Sequence, residues 1–545
     1  MDAVAITLAM FLAVIVSGLA VRALPVSVPL PLVQIALGAL IAGVFHRGVS
    51  LDPELFFLLF LPPLLFLDGW RIPKEGVLRD KFTILELALG LVVFTVLGLG
   101  FLIQWMIPTM PLPVAFALAA IVSPTDPVAV SAITARVQVP KRVMHVLEGE
   151  SLLNDASGLV AFRFAVAAAV TGSFSLATAT LSFVWVACAG LVVGAGFTWL
   201  VARAKNAFSR RFGEEPGSQI LLSLLIPFGA YQIAEHLHAS GILAAVAAGV
   251  AMSYVELSGR ALATTRVQRT AVWNTVQFTL NGVMFVLLGE QLPEIFKGAV
   301  HVVEDTGHEN PWWLLVYALA INAALAVMRF GWIWVSLQVA RFLAARRGRQ
   351  SPKASLRLTL AVSLAGVRGA ITLAGVLTLP LTIADGSPFP ARDLAIFLAT
   401  TVIILSLLGA SLCLPRLLKG LDVPPETEHQ EQEDLAQEAV REASLKAIEA
   451  TLHRMVTAHP DADPQVYTEV AGRLMDNLRH RVKGGLEPET GAALLQQREA
   501  IERAMRLAAL QASRDELFRL ARARRISDDV CRAEVRRIDL QEARG

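Results

Sequence analysis

The sequence predicts an all-α polytopic membrane protein of about thirteen transmembrane helices followed by a cytoplasmic helical tail. Three observations carry this. Of 545 residues, 55% are hydrophobic and only 17% charged, with a mean hydropathy of +0.57, outside the balance of a soluble protein. Charge is unevenly placed, 43 charged residues lying in 421–545 and 51 in 1–420. Through 1–420, apolar segments long enough to cross about 30 Å of hydrocarbon recur with short polar breaks. The expected organisation is a transmembrane domain, 1–420, and a helical, regulatory tail, 421–545.

The apolar segments centre near Leu12, Leu37, Leu61, Val96, Val122, Leu159, Leu191, Ile226, Val246, Phe278, Leu325, Val367 and Ile404. Residues 3–22 resemble a secretory signal in hydropathy, but no Lys or Arg precedes the run and further spans follow at once, which reads as a true span. Loops taken alternately give 21 Lys and Arg in one set and three, Arg47, Lys297 and Arg392, in the other. A miscounted span in the middle of the chain would destroy that ratio. Since cytoplasmic loops hold most Lys and Arg, the N-terminus is expected outside and the tail, entered through Arg416 and Lys419, inside. Cys188, Cys413 and Cys531 offer neither a paired framework nor metal-ligand spacing and read as free thiols.

Ionisable groups within spans are costly and mark function. Span five carries SPTDP, with Pro124 and Pro127 around Thr125 and Asp126. Two prolines three apart predict a broken helix, tolerated at that depth only where it is buried in protein or lines a wet cavity. Span twelve predicts a second break, where Gly366 and Gly369 flank Arg368. One broken helix in each half suggests inverted repeats crossing at a central site. Span six carries EGESLLNDASG, in which Glu150 and Asn154, and Ser151 and Asp155, are four apart and share one stripe. Span three adds Asp68 after a break expected at Pro62–Pro63, and span eleven adds Arg329.

Glu150 with Arg329 reads as a structural ion pair, because a carboxylate beside an arginine stays ionised. Asp155 has no arginine in its stripe and is the better proton carrier. A buried, unpaired carboxylate is stable either protonated or with a small cation bound, so proton and cation compete for one group. Hard monovalent cations prefer oxygen, supplied by Asp155, Ser151, Asp68 and the carbonyls freed at Thr125. An intramembrane aspartyl protease would also need two buried aspartates sharing a proton, but prolines beside Asp126 and Asn154 beside Asp155 fit ion coordination better. A channel would line a continuous pore with rings of groups, whereas one central carboxylate cluster suits alternating access.

SPTDP, ESLLND, LPPLLFLDGW, GVRGAI and LNGVMFVLLGEQL, in this order through residues 5–415, resemble the monovalent cation/proton antiporters that include bacterial and animal sodium/proton exchangers. The resemblance implies a thirteen-span homodimer with a dimerisation domain and a core moving like an elevator. It makes Asp155 the ion- and proton-binding carboxylate, with Ser151, Asp68 and the Thr125 carbonyl as further ligands of a monovalent cation. Asn154 stands where the electrogenic branch has aspartate, which implies electroneutral exchange of one proton for one cation. Glu150 and Arg329 match the family's ion pair, and Asp126 and Arg368 its polar groups at the crossed broken helices. Asp68 departs from several bacterial relatives, which have glutamate there. The expected substrate is sodium, with lithium and potassium as alternatives, in the plasma membrane, with no enzymatic activity, cofactor or nucleic-acid partner.

The tail begins acidic, with Glu426, Glu428, Glu431, Glu433 and Asp434, and ends rich in arginine, with Arg519, Arg522, Arg524 and Arg525. Its apolar residues recur at helical spacing, as in a solvated amphipathic bundle. It holds no glycine-rich nucleotide loop of the usual pattern. Regulation of transport by pH or partners is expected only from its attachment.

Overall fold

The structure is a computed structural model describing residues 2–23, 28–45, 53–72, 74–127, 130, 133, 141–172, 176–257, 262–305, 312–346, 355–383, 386–419, 427–458, 464–480 and 492–542. Of the Lys and Arg counted in the loops, Arg47, Arg136, Arg260, Arg347, Arg349 and Lys353 lie outside these residues, as does Glu426 at the start of the tail. Among the described residues the fold is helical throughout, apart from an isolated bridge between Thr382 and Pro388.

The first half contains α1 (Asp2–Ala23), α2 (Leu30–Phe45), α3 (Pro53–Arg71), α4 (Lys74–Arg79), α5 (Lys81–Met106), α6 (Leu112–Val122) and α7 (Lys141–Thr171). The second contains α8 (Leu176–Phe212), α9 (Pro216–His236), α10 (Gly241–Glu256), α11 (Ala263–Asp305), α12 (Trp312–Arg346), α13 (Leu356–Leu364), α14 (Ala370–Leu377) and α15 (Arg392–Leu418). Helices α1, α5, α7, α8, α9, α11, α12 and α15 are long and apolar enough to cross a membrane, and α2, α6 and α10 are shorter apolar helices. Their outer faces are apolar: Phe82, Trp105, Val192 and Val327 are exposed by 69–78%. Such a surface is stable only against hydrocarbon.

Both breaks expected from the sequence are present. Helix α6 stops at Val122 and helical backbone resumes at Pro127, while non-helical residues 366–369 separate α13 from α14. The third does not form, for α3 runs unbroken through Pro62 and Pro63. Residues 60–67 are all buried, and α3 packs backbone to backbone on α10. A Cβ at Gly249 would fall 2.0 Å from the Phe66 carbonyl oxygen, and one at Gly69 would fall 2.4 Å from that of Val246. Close packing of this kind outweighs a proline cost of about 3 kcal/mol. A π turn at Glu86–Leu91 interrupts α5 without any sequence signal. There the Ala88 carbonyl accepts a hydrogen bond from the Ser157 hydroxyl at 2.7 Å, tying α5 to α7.

The tail comprises α16 (Thr427–Ala458), α17 (Pro464–His480), α18 (Ala492–Arg522) and α19 (Asp528–Glu542). Its helices share two small apolar clusters, one around Leu517, Ile526 and Val530, the other around Ile448, Val470 and Met505. Leu257, beyond the end of α10, packs on the first, so the tail is seated on the membrane helices.

Candidate functional site

The two breaks cross. The Asp126 amide donates to the Val367 carbonyl at 2.7 Å, so each interrupted segment supplies a backbone partner that the other lacks. Each helix fragment also ends in unsatisfied dipoles, negative at a C-terminus and positive at an N-terminus. Arg368 answers the first kind: its Nε donates to the Val122 carbonyl at the end of α6, 2.8 Å away, and Nη1 donates to the Gly366 carbonyl beyond α13. Asp126 answers the second. Its carboxylate lies against Gly369, the residue before α14, where an added Cβ would fall 1.8 Å from Oδ2. Only glycine allows that approach.

Helix α7 runs beside this crossing. Glu150, Ser151, Asn154 and Asp155 are all at most 4% exposed. The single stripe expected of them divides between different surroundings. Ser151 and Asp155 face a cavity of about 30 Å³, also lined by Thr125, Asp126, Asp68 and the start of α14 at Gly369–Thr372. The Ser151 hydroxyl bonds the Asp155 carboxylate. Asn154 is not among the lining residues; its Nδ2 donates to Thr125 Oγ1 at 3.1 Å and braces the break against α7. Glu150 turns away to Arg329, whose Nη2 and Nη1 donate to its two carboxylate oxygens, the former at 2.8 Å. Arg329 Nε completes its set on the Val362 carbonyl of α13 at 3.3 Å.

Three carboxylates, Asp68, Asp126 and Asp155, thus share one hollow with room for a bare ion or about two waters. Among the described residues, Asp155 forms no ion pair with Lys or Arg. A second hollow, of about 430 Å³, adjoins the first through Asp68, Pro127, Ser151 and Gln277. Its outer wall carries Arg71, His145 and Glu148, together with Asp529 from the tail. Glu148 therefore lies on the path toward the site. Arg163 is far from it, paired with Glu235 at 3.1 Å.

Sequence reasoning missed two lining residues, Gln277 and Asn281 of α11, which join Asp68 in closing the cavity. They are four apart, a polar i,i+4 pair that marks one helix face. That signal was available.

The chain matches the transmembrane sodium/hydrogen exchanger family over residues 8–420. It is 42% identical to an uncharacterized Na(+)/H(+) exchanger of Escherichia coli, YjcE, over 98% of this chain and 97% of that one. It is 43% identical over 76% of its length to a Bacillus subtilis antiporter of sodium, potassium, lithium and rubidium for protons, of which it spans 62%. Among solved structures it resembles the sodium proton antiporter MjNhaP1 of Methanocaldococcus jannaschii. The TM-score is 0.57 at 18% identity, over 77% of this chain and 99% of that one, a likeness of fold.

Proposed function

The chain belongs to the sodium/hydrogen exchanger family, multi-pass membrane transporters of monovalent cations and protons, and on that premise we propose that Asp155 is its shared carrier. The observation that carries the reading is the small hollow where three carboxylates meet and Asp155 has no basic partner among the described residues. Its size suits a dehydrated ion. In a low-dielectric site Asp155 must be neutralised by a proton or by a cation, and one excludes the other. Ser151, Thr125 and Asp68 supply further oxygens. Asp126, Arg368 and the Glu150–Arg329 pair hold the surroundings rigid. Exchange follows if only the two loaded states cross between faces.

The finer reading is one sodium for one proton, with lithium and potassium as further substrates. Asn154 supports the stoichiometry, since a neutral amide next to Asp155 adds no further ionisable group to the three carboxylates already at the hollow. We further propose thirteen spans built as inverted repeats, a homodimer, an elevator-like core, and a plasma-membrane location with the N-terminus outside and the tail inside. The 430 Å³ hollow on the tail side is consistent with a site open to the cytoplasm.

The test is proton flux in proteoliposomes carrying an imposed pH gradient. Sodium should dissipate the gradient with the wild-type protein and not with Asp155→Asn, a loss of at least about 100-fold. Normal flux in the variant removes Asp155 as carrier. Asn154→Asp should make flux respond to a clamped membrane potential where the wild type does not.

A further inference from the structure

The tail reaches the transport machinery through one helix. Asp528 of α19 accepts from the Lys74 amide at 3.2 Å and pairs with its ammonium at 3.7 Å. Asp529 bonds His145 Nε2 at 3.0 Å. Nearly three turns further on, Asp539 takes Arg266 Nε at 2.8 Å and Nη2 at 2.5 Å, with both side chains at most 6% exposed. Arg266 opens α11, whereas His145 lies on α7, the helix of Asp155, and Lys74 lies on α4, whose Gly76 packs against the His145 ring.

The anchored helices both line the ion cavity, Ser151 and Asp155 coming from α7 and Gln277 and Asn281 from α11, with Asp68 of α3 beside them. In the elevator-like reading proposed above, the cavity opens to the opposite face as α7 travels against α3 and α11. One rigid helix of 15 residues cannot keep Asp529 on His145 and Asp539 on Arg266 through such a movement. We propose that α19 is a latch, which holds the tail-side-open arrangement and must release His145 each time the Asp155-bearing helix crosses. Asp529 is then a positioning residue of the transport cycle, supplied by the tail. The inference rests on the exchange reading above, and adds to it a tail element that sets the turnover rate.

The seam contains its own probe. Cys531 is 1% exposed, and burial pushes its thiol up to about 12, so it reacts slowly while α19 is docked. Cys188 and Cys413 are exposed and can be replaced by Ala.

In that background, exchange kinetics and Cys531 labelling by a maleimide are measured together for wild type and Asp529→Ala. The expected result is faster labelling with a maximal exchange rate raised roughly fivefold and a higher apparent KM for cation on the tail side, as loss of one half-buried, charge-assisted bond implies. Faster labelling without a faster maximal rate overturns the latch, and so does no change in either. A second variant keeps the test independent of that rate: His145→Cys with Asp529→Cys in a Cys531→Ala background, bridged by a short cleavable bis-thiol reagent. Bridging should stop exchange and cleavage restore it, while undiminished flux in the bridged protein overturns the proposal. Absence of sodium-dependent proton flux in the wild type would instead remove the exchange reading itself.

Discussion

Glu150 and Asp155 are five residues apart on one helix and equally buried, at 1% and 4% exposure, yet their surroundings differ in kind. Glu150 meets the guanidinium of Arg329 with both oxygens, and Arg329 is held further by the Val362 carbonyl. Asp155 meets a serine hydroxyl and a hollow shared with two other acids. Burial alone therefore does not mark the carboxylate proposed as carrier. The partner does, since a satisfied pair has nothing to gain from an ion while an unpaired acid has a charge to neutralise.

Stability separates the two regions most sharply. Glu150→Ala leaves Arg329 charged in the interior and should cost about 3–5 kcal/mol, read as a fall in the melting temperature of the purified protein. Asp155→Asn removes an unpaired charge and should leave melting unchanged or slightly raised although transport is lost. If Asp155→Asn melts as early as Glu150→Ala, the contrast between the two acids fails. The double change Glu150→Leu with Arg329→Met should recover most of the loss, because apolar groups of similar volume replace a buried pair at little net cost. A recovery confined to stability, with exchange still slow, would show that the pair also positions α7 against α12 and α13.

A smaller effect is expected where the crossing meets the hollow. Gly369→Ala drives a methyl group into Asp126, and overpacking of this kind costs about 1–3 kcal/mol. Sodium-dependent flux should fall roughly tenfold as Asp126 is displaced. A smaller change, Ser363→Ala, removes only a hydroxyl that bonds back to its own helix at the Thr359 carbonyl and should leave flux within about twofold.

The smallest expected effect is on the tail's response to pH. Burial would raise the Asp529 carboxyl, but the hydrogen bond from His145 and the charge of Arg532 outweigh it and bring the group down to about 2. A depressed acid contributes stability above its unfolded value of about 4 and loses it as pH falls through the folded value. The part of docking that Asp529 ionisation governs should therefore be constant from about pH 5 upward and fade between pH 4 and 2, while its bond to His145 is charge-assisted only as long as the imidazole carries its proton. Hydrogen-exchange protection of α19 amides, corrected for intrinsic rates, measures this. A protection loss near neutral pH that survives in Asp529→Ala would trace to another group of the seam.

Much of the fold was legible because the bilayer imposes a coarse and local rule. Apolar length reports a span, a proline pair with an acid reports a break, and charge density reports where the membrane domain ends. The rule misled at Pro62–Pro63, where the sequence predicts an interruption and α3 continues, because contact with α10 through Gly69 and Gly249 is a property of two distant segments. It was silent at the π turn of α5, whose freed Ala88 carbonyl matters only because Ser157 arrives from α7.

The site divides in the same way. Helical periodicity on α7 already set Ser151 with Asp155, since residues four apart share a face whatever surrounds them. That Glu150 reaches Arg329, that Asn154 braces Thr125 and stays outside the hollow, and that Gln277 and Asn281 close it are facts about segments 29 to 179 residues apart or more. Local chemistry thus determined which groups were costly enough to need a purpose. Only the packing of the helices decided which of them gained a basic partner and which was left facing the hollow.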